Sequence, residues 1–450
     1  MAPKGYGLGA TSAEAVLASV PLGRREQILA LAAEQFGTRG YTRTSLQDIA
    51  NAGGIQPGSL YHHFESKEAI ARELVGLYRT ELEAIAKRAF EQQDGGDPAI
   101  ALYEQLAGLA AAVAESSVRH QAAVRLSIYE LSARGLELPE LPGGVLSPVE
   151  EAMTALLQEG RSRRFLRTAV DPSVLARQIC TTMRRVGAGV PEPPDPIRPV
   201  TLALLHTLLA GLNRESLPDS ALDRSPAFAA ARRAVDAWTT EVVPDGTDKL
   251  HTIRSAARLE FARRGYEAAT MRDIVRQAGM SMGAVYRLVD SKETLLRSIM
   301  GSYYARLSSA YDAVLTSGSR VTEQIDALTW IQINAMEMFE PEFEIQHAWF
   351  REIPPEVDIF SEGLSVQYAR IRSAITDGLE SSELRVWDGG CGPDPDWATI
   401  VACLSNLMWI PADIVSDLGG RATLRHSRET TLRGAASVLM TRAVERTASV

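Results

Sequence analysis

The chain has 450 residues, of which 45% are hydrophobic and 23% are charged, and its formal net charge is −9. This composition is typical of a folded globular protein and excludes a largely disordered chain. The length is too great for one ordinary domain and predicts about two to four. The acidic total excludes a uniformly basic nucleic-acid-binding coat. It leaves a local basic face open, because recognition depends on where the charge lies.

The sequence carries no signal for disulfides, metal binding or membrane insertion. Its three cysteines, Cys180, Cys391 and Cys403, lie far apart without a CxxC pair, and we interpret them as small buried hydrophobic residues. The first 20 or so residues lack the apolar core of a signal peptide and indicate a flexible tail. The sequence contains no run of about 18 apolar residues, so it predicts no membrane span. We therefore expect a soluble, cytoplasmic protein without a cofactor or metal.

The second half of the chain repeats part of the first. The segments that start at Arg25 and Leu250 align without a gap over 51 positions at an offset of 225, and 15 positions are identical. The identities include Phe36/Phe261, Gly40-Tyr41/Gly265-Tyr266, Asp48-Ile49/Asp273-Ile274, Gly58/Gly283, Tyr61/Tyr286 and Ser66-Lys67-Glu68/Ser291-Lys292-Glu293. An ungapped offset of half the chain indicates an internal duplication.

Each repeat begins with the pattern of four short helices, which we describe for the first copy. An apolar stripe over 28–36 predicts the first helix, and Gly40 ends it. Ser45 and Asp48 are spaced as a capping box that starts a second helix, which ends at the Gly53-Gly54 pair. A third helix follows almost at once, and Ser66 caps a fourth. Two short helices joined by a short glycine turn are the helix-turn-helix signature.

The remainder of each half is helical in pattern, with almost no strand-like alternation. Apolar clusters lie at 99–114, 118–133, 148–160 and 172–186, and again at 322–339, 342–352, 364–380 and 396–409. The segment 212–247 indicates a connector between the repeats, with one helix at 226–240. The predicted fold class is therefore all-α.

A specific run of residues marks the helix-turn-helix of each repeat. In the first copy it consists of Gly40-Tyr41, Ser45, Asp48-Ile49-Ala50, Gly53-Gly54, Gly58-Ser59-Leu60-Tyr61-His62-His63-Phe64 and Ser66-Lys67-Glu68. This run resembles the DNA-binding domain of the tetracycline-repressor (TetR) family. The second copy keeps most of it and departs at Ala269, at Val275, where the family has Ala, and at Val289, where it has Phe. The two motifs cover close to a quarter of the chain.

The resemblance implies two TetR-like units, each with an N-terminal helix-turn-helix domain and a helical ligand-binding and dimerisation domain. We expect a tail over 1–22, a first reader at 23–75, a regulatory domain at 76–211, a linker at 212–247, a second reader at 248–300 and a second regulatory domain at 301–450. Because family members usually act as homodimers, one chain would supply both readers as an intramolecular pseudo-dimer. A further homodimer with four readers is equally compatible with the sequence.

The second helix of a helix-turn-helix enters the major groove of DNA. The base-facing candidates are Gln56, Pro57, Ser59 and His62 in the first reader, and Ser281, Met282, Ala284 and Arg287 in the second. The resemblance implies phosphate contacts from Thr44, Tyr61, Lys67, Thr270, Tyr286 and Lys292, with close approach to DNA at Gly58 and Gly283. Since Arg287 replaces His62, the readers should recognise different sequences. Arg287 is the best candidate for a guanine contact.

Charge differs between the two readers. Residues 24–68 hold five basic and five acidic residues, a net charge of 0, whereas residues 249–293 hold nine and five, a net charge of +4. The second reader should therefore contribute more of the attraction to phosphates. The alternative is an interaction regulator or scaffold in which the second helix-turn-helix is degenerate and does not bind DNA.

The helical halves would hold the effector site. Aromatic and polar candidates there are Tyr103, His120, Tyr129, Phe165, Trp330, Asn334, Met338, Phe343, His347 and Phe350. Such stripes more often form ordinary core than a pocket, and the composition favours an apolar or amphipathic small molecule as the effector. No HExxH, GxSxG or GxxxxGK[ST] motif occurs, so no enzymatic activity is predicted. The function predicted from the sequence is a ligand-responsive transcriptional repressor that binds double-stranded DNA.

Overall fold

The computed structural model describes residues 23–91, 97–130, 144–189, 197–240, 248–351 apart from 267, 359–386, and 410–441 apart from 439. Within these ranges the regular structure is helical, and β-structure is limited to two isolated bridges. The prediction of an all-α fold is confirmed. The predicted tail at 1–22 and the predicted helix at 396–409 lie outside the described residues. None of the described helices is both long enough and apolar enough to cross a membrane.

The helices of the first half follow the predicted clusters, with one break and one addition. They are α1 (Arg24–Arg39), α2 (Leu46–Ala52), α3 (Pro57–His63), α4 (Lys67–Arg88), α5 (Pro98–Arg119), α6 (Gln121–Arg125) with the π-helical turn Leu126–Glu130, α7 (Ser147–Ser162), α8 (Pro172–Gly189) and α9 (Ile197–Ala210). The cluster at 118–133 is not one helix, because the chain leaves the helical conformation at His120. Helix α9, which carries an almost continuous apolar run, was not predicted.

After an additional segment, the described helices of the second half begin in the same order as those of the first half. Its helices are α10 (Asp219–Leu222), α11 (Pro226–Thr240), α12 (Lys249–Arg264), α13 (Met271–Gln277), α14 (Met282–Tyr286), α15 (Lys292–Leu315), α16 (Val321–Met338), α17 (Glu340–Arg351), α18 (Ile359–Glu380), α19 (Ala412–Leu418) and α20 (Gly420–Ser427), which continues into the π-helical turn Arg428–Leu432. Helices α12 to α15 correspond to α1 to α4.

The local signals that shape the readers operate in both copies. Gly40 and Gly265 end α1 and α12 with φ values of 80° and 78°, in the left-handed region that favours glycine. At the start of α2, the backbone N–H of Asp48 donates to Ser45 Oγ at 3.1 Å, and the backbone N–H of Ser45 donates to Asp48 Oδ2 at 2.8 Å. Thr270 and Asp273 form the equivalent capping box at the start of α13.

The segment expected to be a connector is packed into the second half. The helix predicted at 226–240 is present as α11, which lies against α15 and α16. Its Phe228 is buried, and the Phe228 ring centroid lies 5.9 Å from that of Trp330 on α16. The segment from Leu212 to Thr240 therefore extends the hydrophobic core of the second unit.

The same tight turn follows α7 in the first half and α18 in the second. Residues 160–167 and 378–385 share the pattern Gly-x5-Leu-Arg at an offset of 218. Arg164 and Ser382, at equivalent positions of the two turns, both take a positive φ, 60° and 61° respectively. Equal sequence spacing thus produces equal, unusual backbone geometry in both halves.

Each of these turns binds a segment of the other half, the one after the π-helical turn Arg428–Leu432 or the one after α9. The backbone N–H of Arg167 donates to the carbonyl oxygen of Ala435 at 2.9 Å, and that of Arg385 donates to the carbonyl oxygen of Leu212 at 2.7 Å. The Arg385 guanidinium also donates to the carbonyl oxygen of Ala210 at 2.5 Å. The two halves are therefore joined by reciprocal backbone hydrogen bonds.

Candidate nucleic-acid interface

Helices α3 and α14 each present one large exposed aromatic side chain at the same position. Tyr61 is 59% exposed and Tyr286 is 51% exposed, although the helices bury Leu60 and Val285 on their opposite faces. Their equivalent positions make these two side chains candidates for contacts with DNA. The phenol also offers a hydroxyl that can donate to phosphate oxygen.

The predicted base-facing residues lie on this exposed side of α3 and α14. Gln56, Gly58 and His62 are exposed, as are Ser281, Met282, Gly283 and Arg287, while Pro57, Ser59 and Ala284 are half-buried. The Ser281 hydroxyl accepts a hydrogen bond from the backbone N–H of Ala284 at 3.3 Å and so caps α14. The structure brings these residues together in each reader, on the side away from the reader core.

Three of the predicted phosphate contacts are engaged inside the readers. Thr44 is buried, and its hydroxyl donates to the carbonyl oxygen of Gly40 at 2.8 Å, so its side chain closes a turn and does not reach the surface. The Lys67 ammonium donates to the carbonyl oxygen of Tyr41 at 2.8 Å and lies 4.3 Å from the centroid of that ring. Lys292 makes the equivalent contacts with Tyr266. These lysines hold the first turn of each reader against its last helix.

The turn between α1 and α2 forms a cleft beside α3 that was not predicted as part of the site. The cleft has a volume of about 440 Å³, and its lining includes Thr42, Arg43, Ser45, Tyr61 and Lys67. It lies at the start of α2, where the capping box of Ser45 and Asp48 already satisfies two backbone N–H groups. Hydrogen bonds from Ser45 hold the pKa of Asp48 below its usual value, so this carboxylate stays ionised as part of the capping box.

The arginines of the second reader divide into paired and unpaired groups. Arg263 and Arg264 bind the Glu260 carboxylate, and Arg276 binds Asp273. Arg272 and Arg287 are exposed and have no hydrogen bond or ion pair within the described part of the chain. Sequence reasoning missed Arg272, although its position in the first turn of α13, aligned with Gln47, marks it as surface-facing.

The effector candidates of the first half are mostly engaged in packing. Tyr103 is buried, its hydroxyl has no hydrogen-bond partner among the described residues, and burial raises its pKa to about 12. His120 Nε2 lies 2.7 Å from Glu81 Oε2 and thereby joins α5 to α4. Phe165 is half-buried against the core. The side chain of Tyr129 lies outside the described residues.

The effector candidates of the second half contribute to helix packing. Asn334 Nδ2 donates to the carbonyl oxygen of Trp330 one turn earlier, at 2.7 Å. The Trp330 ring lies 4.7 Å below the Arg421 guanidinium, and Phe343 is buried. Met338 is half-buried against the core. The side chains of His347 and Phe350 lie outside the described residues.

Two helix-turn-helix domains joined to helical bundles define a DNA-binding transcriptional regulator. The profile described as "Bacterial regulatory proteins, tetR family" matches residues 28–74 and 253–299. The chain belongs to this TetR family, with its DNA-binding domain present twice, and it is a regulator and not an enzyme.

Several relatives are similar to less than half of the chain. Over 142 residues the chain is 35% identical to the HTH-type transcriptional repressor KstR2 of Rhodococcus jostii, covering 28% of this chain and 64% of that protein. Over 167 residues it is 35% identical to KstR2 of Mycolicibacterium smegmatis, covering 36% of this chain and 78% of that protein. The solved ketosteroid transcriptional regulator KstR2 of Mycobacterium tuberculosis is 27% identical, with a TM-score of 0.33 over 41% of this chain and 92% of that one.

Proposed function

We propose that this protein is a ligand-responsive transcriptional repressor that binds one operator through two non-identical readers. The observation that carries the proposal is the pair of exposed tyrosines, Tyr61 and Tyr286, at the same place on α3 and α14. The relatives named above support repression, because they are themselves named transcriptional repressors. Since the target would be chromosomal DNA, we place its action in the cytoplasm.

In this proposal α3 and α14 each enter a major groove. Residues 56, 57, 59 and 62 of the first reader, and 281, 282, 284 and 287 of the second, would face the bases. Tyr61 and Tyr286 would bind phosphate, and Gly58 and Gly283 would allow the backbone to approach. Lys67, Lys292 and Thr270 would act at the edge of this surface. The interior position of Thr44 favours its backbone over its side chain as a contact.

The two readers would act as an intramolecular pseudo-dimer. The backbone hydrogen bonds from Arg167 to Ala435 and from Arg385 to Leu212 support this arrangement, because equivalent turns of the two halves each bind the opposite half. Paired helix-turn-helix readers recognise half-sites about 34–36 Å apart. Since the second reader differs at Met282 and Arg287, the operator half-sites need not be inverted copies of each other.

An apolar or amphipathic small molecule would release the DNA. The first helix of each reader packs on the helix that follows the long bundle helix, α1 on α6 and α12 on α17. A ligand that displaces α6 or α17 would therefore tilt a reader and shift the population away from the DNA-binding spacing. The A-factor receptor protein of Streptomyces griseus is 30% identical to the chain over 152 residues. Because that protein is named a receptor, the similarity supports a ligand-binding role.

Binding of operator DNA by single-residue variants tests the proposal. Operator fragments come from genome-wide binding-site mapping, and affinity is measured at several salt concentrations. Tyr61→Ala and Tyr286→Ala should each weaken binding about 10-fold or more, in line with about 1.5–3 kcal/mol for a hydrogen bond to a charged group. Leu77→Ala, at an exposed position of α4, is the matched control and should bind as the wild type. Unchanged binding by Tyr286→Ala would favour the alternative of a degenerate second reader.

A further inference from the structure

In the first reader, one arginine side chain contacts the end of α3, the helix proposed to enter the major groove. We call this set of contacts the clamp. Arg25, at the start of α1, donates from Nη1 to the carbonyl oxygen of His63 at 2.6 Å. Its Nε donates to Glu73 Oε1 on α4 at 3.0 Å, and its guanidinium lies 4.2 Å from the Phe64 ring centroid. Three groups, one from α4 and two from the end of α3, thus converge on one side chain of α1.

The second reader lacks every member of this clamp. At the equivalent positions it has Leu250 for Arg25, Leu288 for His63, Val289 for Phe64 and Ser298 for Glu73. Leu250 and Leu288 are exposed, at 42% and 46%, and no side chain bonds to the Leu288 carbonyl within the described residues. Helix α14 is also shorter, with five residues against seven in α3.

In the second reader, Arg254 on α12 makes a different contact from that of Arg25 in the first reader. It donates to the carbonyl oxygen of Ser298 at 3.1 Å and so ties α12 to α15. This bond fixes the outer helices of the second reader and leaves the end of α14 unclamped. The contrast between the readers is therefore local to the recognition helix.

The second reader carries more positive charge than the first, although it lacks the clamp. The second reader has the unpaired, exposed arginines Arg272 and Arg287 where the first has Gln47 and His62. Attraction to phosphates does not depend on base sequence, whereas a helix held rigidly in the groove cannot adapt to a wrong base pair. A rigid, neutral reader favours discrimination, and an unclamped, basic reader favours affinity.

We infer that the two readers divide these tasks. The first reader selects the base sequence, with Arg25 as the residue that positions α3, and the second reader anchors the chain to DNA through charge and tolerates sequence variation in its half-site. This inference rests on the proposed function, because it requires that both readers contact DNA.

The test compares operator duplexes in which one half-site at a time is scrambled. We expect scrambling of the first reader's half-site to weaken binding about 100-fold or more and scrambling of the second's to weaken it about 10-fold or less, since each mismatched base pair costs about 1–3 kcal/mol in a discriminating site. Footprints of the Tyr61→Ala and Tyr286→Ala proteins assign each half-site to its reader. Equal losses at the two half-sites would overturn the inference.

Variants separate positioning from charge. Arg25→Leu should reduce discrimination at the first half-site while leaving the slope of log affinity against log salt unchanged, and Arg25→Lys should restore part of the discrimination. Arg272→Gln should lower that slope by about 1, at roughly 0.9 for one lost phosphate contact. An Arg25→Leu protein that loses affinity equally for native and scrambled duplexes would contradict a positioning role.

A reciprocal variant keeps the inference testable if Arg25→Leu fails to fold. Leu250→Arg, Val289→Phe and Ser298→Glu together install the clamp in the second reader, and discrimination at the second half-site should rise at least several-fold. Unchanged discrimination in the folded triple variant would contradict the inference. Failure of the proposed function is distinguishable, because then the wild type binds no operator or Tyr286→Ala has no effect.

Discussion

Gly211 and Gly434 lie back to back where the segment after α9 crosses the segment after the π-helical turn Arg428–Leu432. A Cβ placed on Gly434 would lie 2.3 Å from the carbonyl carbon of Ala210 and 2.6 Å from the backbone nitrogen of Gly211. Both glycines have a φ of 83°. The crossing therefore requires the absence of a side chain at both positions, and it allows the Ala435 N–H to donate to the Leu208 carbonyl oxygen at 2.9 Å.

Gly434→Ala is expected to destabilise the protein by about 3 kcal/mol or more. Left-handed strain for a non-glycine residue costs about 1–3 kcal/mol, and the contact with Ala210 and Gly211 adds backbone displacement. Gly419→Ala is the matched control, because Gly419 also has a positive φ, 75°, with no atom within 4 Å of the added Cβ. Urea unfolding measures both variants. Equal losses would show that strain alone, and not the close approach of the halves, sets the requirement.

A buried arginine organises the junction between the former connector and the second half. Arg428 donates to both oxygens of Asp326, each at 2.8 Å, and to Asp223 at 2.8 Å. Burial alone would lower the pKa of Arg428, but its hydrogen bonds to Asp326 and Asp223 outweigh burial and raise it. Arg428 is therefore positively charged, and the carboxylates of Asp326 and Asp223 stabilise that charge.

Asp326→Asn should cost about 3 kcal/mol of unfolding free energy, since it removes the buried countercharge and leaves Arg428 with its more exposed partners. Asp223→Asn should cost less than about 1 kcal/mol, because Asp223 is half-exposed and solvent screens its interaction. Chemical denaturation of the two variants distinguishes these expectations. A larger loss for Asp223→Asn than for Asp326→Asn would reverse the assigned roles.

Two buried histidines should make the protein sensitive to acid. Burial lowers the pKa of His206 and of His426 to about 4, and His426 Nε2 lies 2.9 Å from Gln178 Oε1 across the two halves. Because the unfolded chain binds these protons near pH 6.5, the stability from the neutral form is present above that pH and is lost as the pH falls towards 4.

The expected loss between pH 8 and pH 5 is about 2 kcal/mol for each histidine. His426→Asn should therefore lose about 2 kcal/mol less than the wild type over that interval, and His206→Asn should behave alike. Urea unfolding at the two pH values measures this difference. If the double variant kept the full acid sensitivity of the wild type, the histidines would not be its source.

The readers were predictable because their signals are local. The capping box of Ser45 and Asp48 and the glycine stop at Gly40 lie within a few residues of the helix ends that they determine. The exposed place of Tyr61 follows from the buried place of Leu60 beside it. Both copies carry these short-range signals, so the duplication reinforced the prediction.

Contacts between distant residues were not predictable in the same way. The pairing of Arg25 with Glu73 depends on how α1 lies against α4, and the approach of Gly211 to Gly434 depends on how the halves cross. The interior position of Thr44 depends on its hydrogen bond to the Gly40 carbonyl oxygen. The sequence of a surface turn does not show whether such a bond forms. The segment 212–240 looked like a connector because its buried face, with Phe228, is completed only by α15 and α16.

Arg287→His should change the base preference of the second reader more than its overall fold. Arginine contacts guanine through two hydrogen bonds worth about 1–3 kcal/mol of discrimination, and histidine cannot reproduce both. Selection of binding sequences from randomised duplexes should therefore show relaxed preference at one or two base pairs of the second half-site. Preferences of the first half-site should stay as in the wild type. A shift in the first half-site would place Arg287 elsewhere on the DNA.

One chain should bind one operator through both of its readers. The most direct measurement is the mass of the protein–operator complex, combined with a footprint of each tyrosine variant. We predict one chain per operator, with protection lost over one half-site in Tyr61→Ala and over the other in Tyr286→Ala. Two chains per operator with symmetric protection, unchanged by Tyr286→Ala, would contradict it.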